Sequence, residues 1–207
     1  MRSALAAAIL AAGVAEAQDA PPRFNLATGE TVSAGRDMVS GQFGWPSATL
    51  GFTHGLSEKS DVGLRFDLIY GVEGTTATQF GVGLGVPFRV VAVRKDKMSL
   101  LLQLVPGLTV YTYADAVFLL NTPLGATLGI QVSNDLRIAA GVDFVMKTQV
   151  TPRAHFWFAP LFGASFEYFV DRQLSVSLDT RFGPVIVSGG GDAEFGFRTQ
   201  VGVAYRL

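Results

Sequence analysis

The sequence predicts an all-β protein: a closed, antiparallel, up-and-down transmembrane β-barrel of ten strands, with eight as the alternative count. Three observations carry this. From Gly35 to Leu207 apolar and polar residues alternate almost without pause, turn residues recur at regular intervals, and no segment keeps a helical period. One face of each strand is apolar and uncharged, while the other collects Gly and mid-strand charge. Mean hydropathy is +0.35, yet after the N-terminal run no apolar stretch approaches the ~18 residues of a membrane helix. The other structure that satisfies its backbone inside a bilayer is a closed barrel.

The chain opens MRSALAAAILAAGVAEAQDA. Arg2 supplies a positive start, Ala4 to Val14 a short apolar run, and Ala15-Glu16-Ala17 an A-x-A cleavage site. Residues 1–17 therefore read as a signal peptide and Gln18 as the first mature residue. No Cys follows the run, which argues against a lipid anchor, and the chain has no Cys at all. A net charge of −1 gives no electrostatic argument for nucleic acid. Residues 18–34 are polar, carry Pro21, Pro22 and Gly29, and read as a loose periplasmic arm. Residues 35–207 read as the barrel domain.

The predicted strands are 35–45, 47–55, 61–72, 77–93, 98–113, 119–132, 136–149, 154–170, 173–187 and 194–207. The first two have an alternative, one strand bent at Trp45-Pro46 with another over Ala27 to Gly35. Connections alternate in character. GLSEKSD (55–61), RKDK (94–97), SNDL (133–136) and DRQ (171–173) form one set, short and polar. The second set is GWPS (44–47), VEGTTA (72–77), YADAVF (113–118), TPRAH (151–155) and SGGGDAE (188–194). An even strand number leaves both termini on one side, the periplasmic side of a bacterial outer membrane.

The faces decide what is inside. Strand three presents Val62, Leu64, Phe66, Leu68 and Tyr70; strand eight presents Phe156, Phe158, Phe162, Phe166 and Tyr168; the other long strands behave alike. The opposite faces carry Arg65, Asp67 and Glu73 on or beside strand three and Arg89 on strand four. They continue with Arg137, Asp143 and Lys147 on seven, Glu167 on eight, Asp179 and Arg181 on nine, and Glu194 and Arg198 on ten. Gly81, Gly83, Gly85, Gly107, Gly125, Gly129, Gly141, Gly163 and Gly183 share those charged faces. Mid-strand Gly gains nothing on a wet surface, but inside a barrel it relieves crowding beside long Arg side chains. The apolar face is therefore predicted to meet lipid, and the charged face to form a lumen network of paired ions. Aromatics near both strand ends, among them Trp45, Tyr70, Phe80 and Tyr113 at one and Phe88, Phe166, Tyr168 and Tyr205 at the other, match interfacial belts.

The C-terminus, Val201-x-Val203-x-Tyr205-x-Leu207, resembles the terminal signature of bacterial outer-membrane barrels, where the last residue is usually Phe and here is Leu. In style the chain resembles small single-chain barrels of the OmpA and OmpX kind. The resemblance implies residence in the outer membrane of a Gram-negative bacterium. Its implied partners are outer-membrane lipid and the barrel assembly machinery, which would read Val201, Val203, Tyr205 and Leu207. The chain is expected to be a monomer with no nucleic-acid partner, no cofactor and no metal.

The residues carry no recognisable chemistry. There are two His: His54 on the apolar face near the periplasmic end, and His155 on the lumen face at the opposite rim. Outer-membrane deacylases pair His with Ser, and no Ser adjoins His155. Omptin-like proteases use rim acids, for which Asp115, Asp192 and Glu194 are available without the motif. SGGGDAE lacks the Lys and helix of a phosphate loop and reads as a turn. The expected function is non-catalytic, a structural, protective or interaction role with the lumen closed by its charge network. The alternatives are a narrow, porin-like channel for small solutes and an enzyme acting on lipid or peptide at the rim.

Overall fold

The computed structural model describes residues 24–71, 79–112, 116–151, 154–188 and 193–207. The predicted signal peptide, Glu73, Tyr113, Asp115 and Asp192 lie outside these residues. The strands are β1 (Asp37–Trp45), β2 (Ser47–Ser57), β3 (Ser60–Ile69), β4 (Gly81–Gly85), β5 (Phe88–Lys95), β6 (Met98–Leu104) and β7 (Gly107–Thr112). They continue with β8 (Ala116–Asn121), β9 (Leu124–Gln131), β10 (Leu136–Thr151), β11 (His155–Phe169), β12 (Leu174–Val187) and β13 (Glu194–Arg206).

These segments build a closed ten-stranded antiparallel wall, because β4 with β5, β6 with β7, and β8 with β9 each form one interrupted wall strand. Each hairpin neighbour pairs in turn, and β13 closes the wall on β1 from Met38↔Arg206 to Trp45↔Thr199. The count is ten, not eight. β1 and β2 form their own hairpin around Trp45-Pro46, from Asp37↔His54 to Phe43↔Ala48, so the bent-strand alternative does not occur.

The three interruptions, where uninterrupted strands were expected, fall at Pro87, Pro106 and Pro123. The prolyl carbonyls still accept bonds from the amides of Gly63 (2.9 Å), Val86 (2.9 Å) and Val105 (3.0 Å). Without an N–H, none can return a bond. The prolines lie on successive wall strands, so the missing donors form a stepped seam across the ladder.

The outward face is apolar along the whole wall: Leu64, Phe66, Leu84, Leu102, Leu108, Phe162, Leu178 and Phe182 are all exposed. Such continuous exposure far exceeds the apolar patches tolerated on soluble monomers, and it is the apolar-out, polar-in alternation of a transmembrane barrel. At the end away from the termini, Trp45 stacks on Phe197 at 6.0 Å and meets Tyr70 at 6.4 Å, while Phe182 stacks on Phe195 at 6.4 Å. Near the termini Phe52, Phe88, Phe166, Tyr168 and Tyr205 are exposed on the same outer face. Val201, Val203, Tyr205 and Leu207 all face outward, and the Leu207 amide donates to the Asp37 carbonyl at 2.9 Å.

The turns at the terminal end are tight. In DRQ the Asp171 carboxylate accepts the amides of Gln173 (2.6 Å) and Leu174 (2.8 Å). These bonds hold its pKa below the usual carboxylate range.

Candidate functional site

The lumen collects the chemistry. Residues two apart on a strand share a face, so β12 sends both Asp179 and Arg181 inward. The β12–β13 register sets Arg181 beside Arg198, and two carboxylates bridge the two guanidinium groups. Arg198 Nη2 donates to both Asp143 and Asp179. Arg181 Nη1 lies 3.0 Å from Asp179, and its Nε lies 3.5 Å from Asp143. Ser165 donates to Asp179 at 2.6 Å and Gln103 to Asp143 at 3.1 Å. Arg181 retains 3% of its side-chain exposure, which a charge tolerates only with partners of this kind. The predicted use of inward Gly is seen directly: a Cβ at Gly125 would sit 2.6 Å from Asp143 Oδ1.

Arg65 and Asp67 pair along β3, the Arg65 Nε reaching both carboxylate oxygens at 2.8 and 2.9 Å. Thr49 also donates to Asp67 at 2.6 Å. Lys147 faces inward on β10, towards the other end of the lumen. Glu194 is exposed at the start of β13, so it stands at the rim and not within the network expected for it.

The largest departure from the sequence reading is at the N-terminus. Residues 24–34 are not a loose arm; they lie inside the barrel at the end carrying both termini. Phe24 packs with Val32, Met38, Phe169 and Ala204, its ring edge-on to Phe169 at 5.4 Å. Wall carboxylates satisfy the backbone of this plug. Glu167, fully buried, accepts the Leu26 amide (2.9 Å) and the hydroxyls of Thr28 and Ser175 (both 2.8 Å). Asp61 accepts the Val32 amide at 2.8 Å and the Nε and Nη2 of Arg89, whose Nη1 donates to the Asn25 carbonyl at 3.0 Å. Glu30 in the plug pairs with Arg94 and lies 3.6 Å from Arg137. The plug touches β9 where both segments have glycine: Gly29 has φ +89°, and a Cβ on Gly129 would lie 2.0 Å from the Thr28 carbonyl oxygen.

Of the predicted charges, Arg89, Arg137 and Glu167 thus hold the plug, while Arg65, Asp67, Asp143, Asp179, Arg181 and Arg198 make the central network. Glu30, Asp61 and Arg94 were missed. Asp61 and Arg94 fell in segments read as turns; Asp61 sits at a position of the inward period, whereas Arg94 faces inward only because the bulge between Val91 and Val93 shifts the register. Glu30 fell in the segment read as an arm. At the far end the lumen holds an apolar layer that was also missed: Ile69, Tyr111 and Leu119 in one cluster, Val145, Ala159, Leu161 and Val185 in another.

Two of the cavities among the described residues lie along the lumen. One of about 130 Å³ lies between plug and network, touching Leu26, Ala27, Arg89, Gln103 and Gln200. One of about 100 Å³ lies between network and apolar layer, touching Ile69, Tyr111, Asn121, Val145 and Lys147. Arg65, Val105 and Arg198 border both. The histidines stand at opposite ends. His54 Nδ1 is 2.7 Å from Asp37 on the outer face near the termini, and His155 Nδ1 is 3.4 Å from the Ser188 carbonyl at the far rim.

No family model matches the chain, and no curated protein matches it. Among solved structures it is similar to OmpTdeltaL8, a loop L8 deletion mutant of OmpT, an outer membrane protein of Vibrio cholerae. The two are 12% identical with a TM-score of 0.40, the match covering 83% of this chain and 59% of that one. This chain therefore spans little more than half the length of the protein it matches.

Proposed function

We propose that the protein is an integral outer-membrane β-barrel whose lumen is closed and whose role is structural, protective or one of interaction, without catalysis. The observation that carries this reading is the plug. Residues 24–34 fill the terminal end of the lumen and engage five wall charges, Asp61, Arg89, Arg94, Arg137 and Glu167, through their own backbone and side chains. Both termini face the periplasm in this reading, since outer-membrane barrels keep their short turns on that side. Residues 1–17 serve as the export signal. The two histidines lie apart and each engages one neighbour, which supports a non-catalytic reading.

Conductance in planar bilayers tests the proposal. The chain beginning at Gln18 is expected to give no steady current, and the chain beginning at Gly35 is expected to conduct. A narrow channel is the second reading, favoured by the two cavities in line through the lumen. Steady single-channel currents from the chain beginning at Gln18 would put that reading first. Recovery of the chain as a soluble periplasmic protein would overturn both.

A further inference from the structure

We infer that the cavity between the ion network and the apolar layer is a binding site for a small amphiphilic anion, a monocarboxylate with a short apolar body. The described lining of this cavity includes no residue of the plug, so this inference does not depend on whether the barrel conducts.

Charge is the first argument. Arg65 borders this cavity with Asp67 as the one carboxylate among its described lining residues; Arg198 borders it too but is held by Asp143 and Asp179. Asp67 engages only the Nε of Arg65, so both terminal nitrogens of Arg65 have no protein partner among the described residues. Arg65 also keeps 33% of its side-chain exposure although it faces inward, so its guanidinium edge opens into the void. Arginine presents its N–H groups in a fork that matches a carboxylate.

The opposite wall supplies the second argument. Ile69, Tyr111 and Val145 face the same space, and Ile69 and Tyr111 are buried. A hydrated inorganic anion gains nothing from such a wall, whereas an alkyl or aryl body is removed from water there. Cations beside an apolar, poorly hydrated surface also attract an anion more strongly than cations in bulk water.

Size and polarity complete it. A space of about 100 Å³ takes roughly seven to ten waters, at about 10–15 Å³ each. Asn121 gives its Nδ2 to Thr109 at 2.7 Å, which leaves its buried Oδ1 without a protein partner. A hydroxyl or water in the chamber satisfies that acceptor. The chamber thus holds a guanidinium edge at one side, an apolar wall at the other and one spare acceptor.

Isothermal titration of the folded chain in detergent micelles tests this, with hexanoate as probe and hexanol and acetate as controls. Hexanoate is expected to bind saturably, and at least tenfold more tightly than either control. Hexanol reports partition into micelles and the apolar wall alone; acetate reports charge alone. Arg65→Gln is expected to weaken hexanoate at least tenfold and to leave hexanol unchanged. Val145→Phe fills the apolar side and is expected to abolish hexanoate binding, which keeps the test decisive if Arg65→Gln fails to fold. Equal binding of hexanoate and hexanol, or of hexanoate and acetate, overturns the inference. So does undiminished hexanoate binding to folded Val145→Phe.

Discussion

The two halves of the lumen are filled by different means. Towards the termini the interior is occupied by peptide, residues 24–34; towards the far loops it is occupied by side chains of the wall itself. A peptide brings backbone amides that must be bonded once buried, and the wall answers with carboxylates: Glu167 takes the Leu26 amide and Asp61 the Val32 amide. Side chains bring no such demand, so Ile69, Tyr111, Leu119, Val145 and Leu161 fill the other half by apolar contact. Charge in this lumen is therefore not one network but two. One set clamps a segment of chain; the other braces the wall and borders open space.

The largest effects are expected at the clamp. Arg89→Ala leaves Asp61 buried beside the plug with one backbone amide, and should cost about 3–5 kcal/mol, the usual penalty for orphaning one partner of a buried pair. Urea unfolding of the refolded barrel measures it. A cost below about 1 kcal/mol would mean that water reaches Asp61 and that the plug is loosely seated.

Next comes the brace. Asp179→Ala and Arg181→Ala are each expected to destabilise the barrel, and the double variant should cost less than the sum, because each single change strands a buried charge. Additive costs in the double-mutant cycle would show that these ions are solvated independently, and the contrast between the two sets would then favour a wet channel.

The outer wall gives a reference that owes nothing to either half. Leu104→Arg or Val142→Arg should cost roughly 2–4 kcal/mol at mid-depth in lipid. Tolerance of both substitutions in bilayer refolding would contradict the apolar-out assignment.

The smallest effect is expected at Arg65, which borders open space. Its pair with Asp67 is partly solvated, so Arg65→Ala should cost under about 1 kcal/mol in the same unfolding assay. A penalty as large as that of Arg89→Ala would show that the chamber is dry and would erase the distinction between clamp and brace.

Several of these features are legible in the residues alone. Strict alternation from Val62 to Tyr70 or from Phe156 to Tyr168 sets the faces, since a strand has a period of two and a slip of one residue would turn every side chain over. The inward place of Asp143, Asp179, Arg181 and Arg198 followed from the same period, as did the use of Gly to admit them. The ladder breaks at Pro87, Pro106 and Pro123 were visible as prolines, but not that they align on neighbouring wall strands.

Sequence alone therefore determined the inverted barrel, because period and face are local properties carried by each strand separately. Tertiary structure decided the plug, the ion partners and the chambers. The Leu26 amide meets a carboxylate 141 residues away, and Val32 meets Asp61 29 residues away. Residues 24–34 have no period to mark them, for they form neither strand nor helix; their place depends on acceptors that converge only when the wall closes. Ile69, Tyr111, Val145 and Leu161 likewise belong to four different wall strands, and closure alone brings them to one end of a common interior.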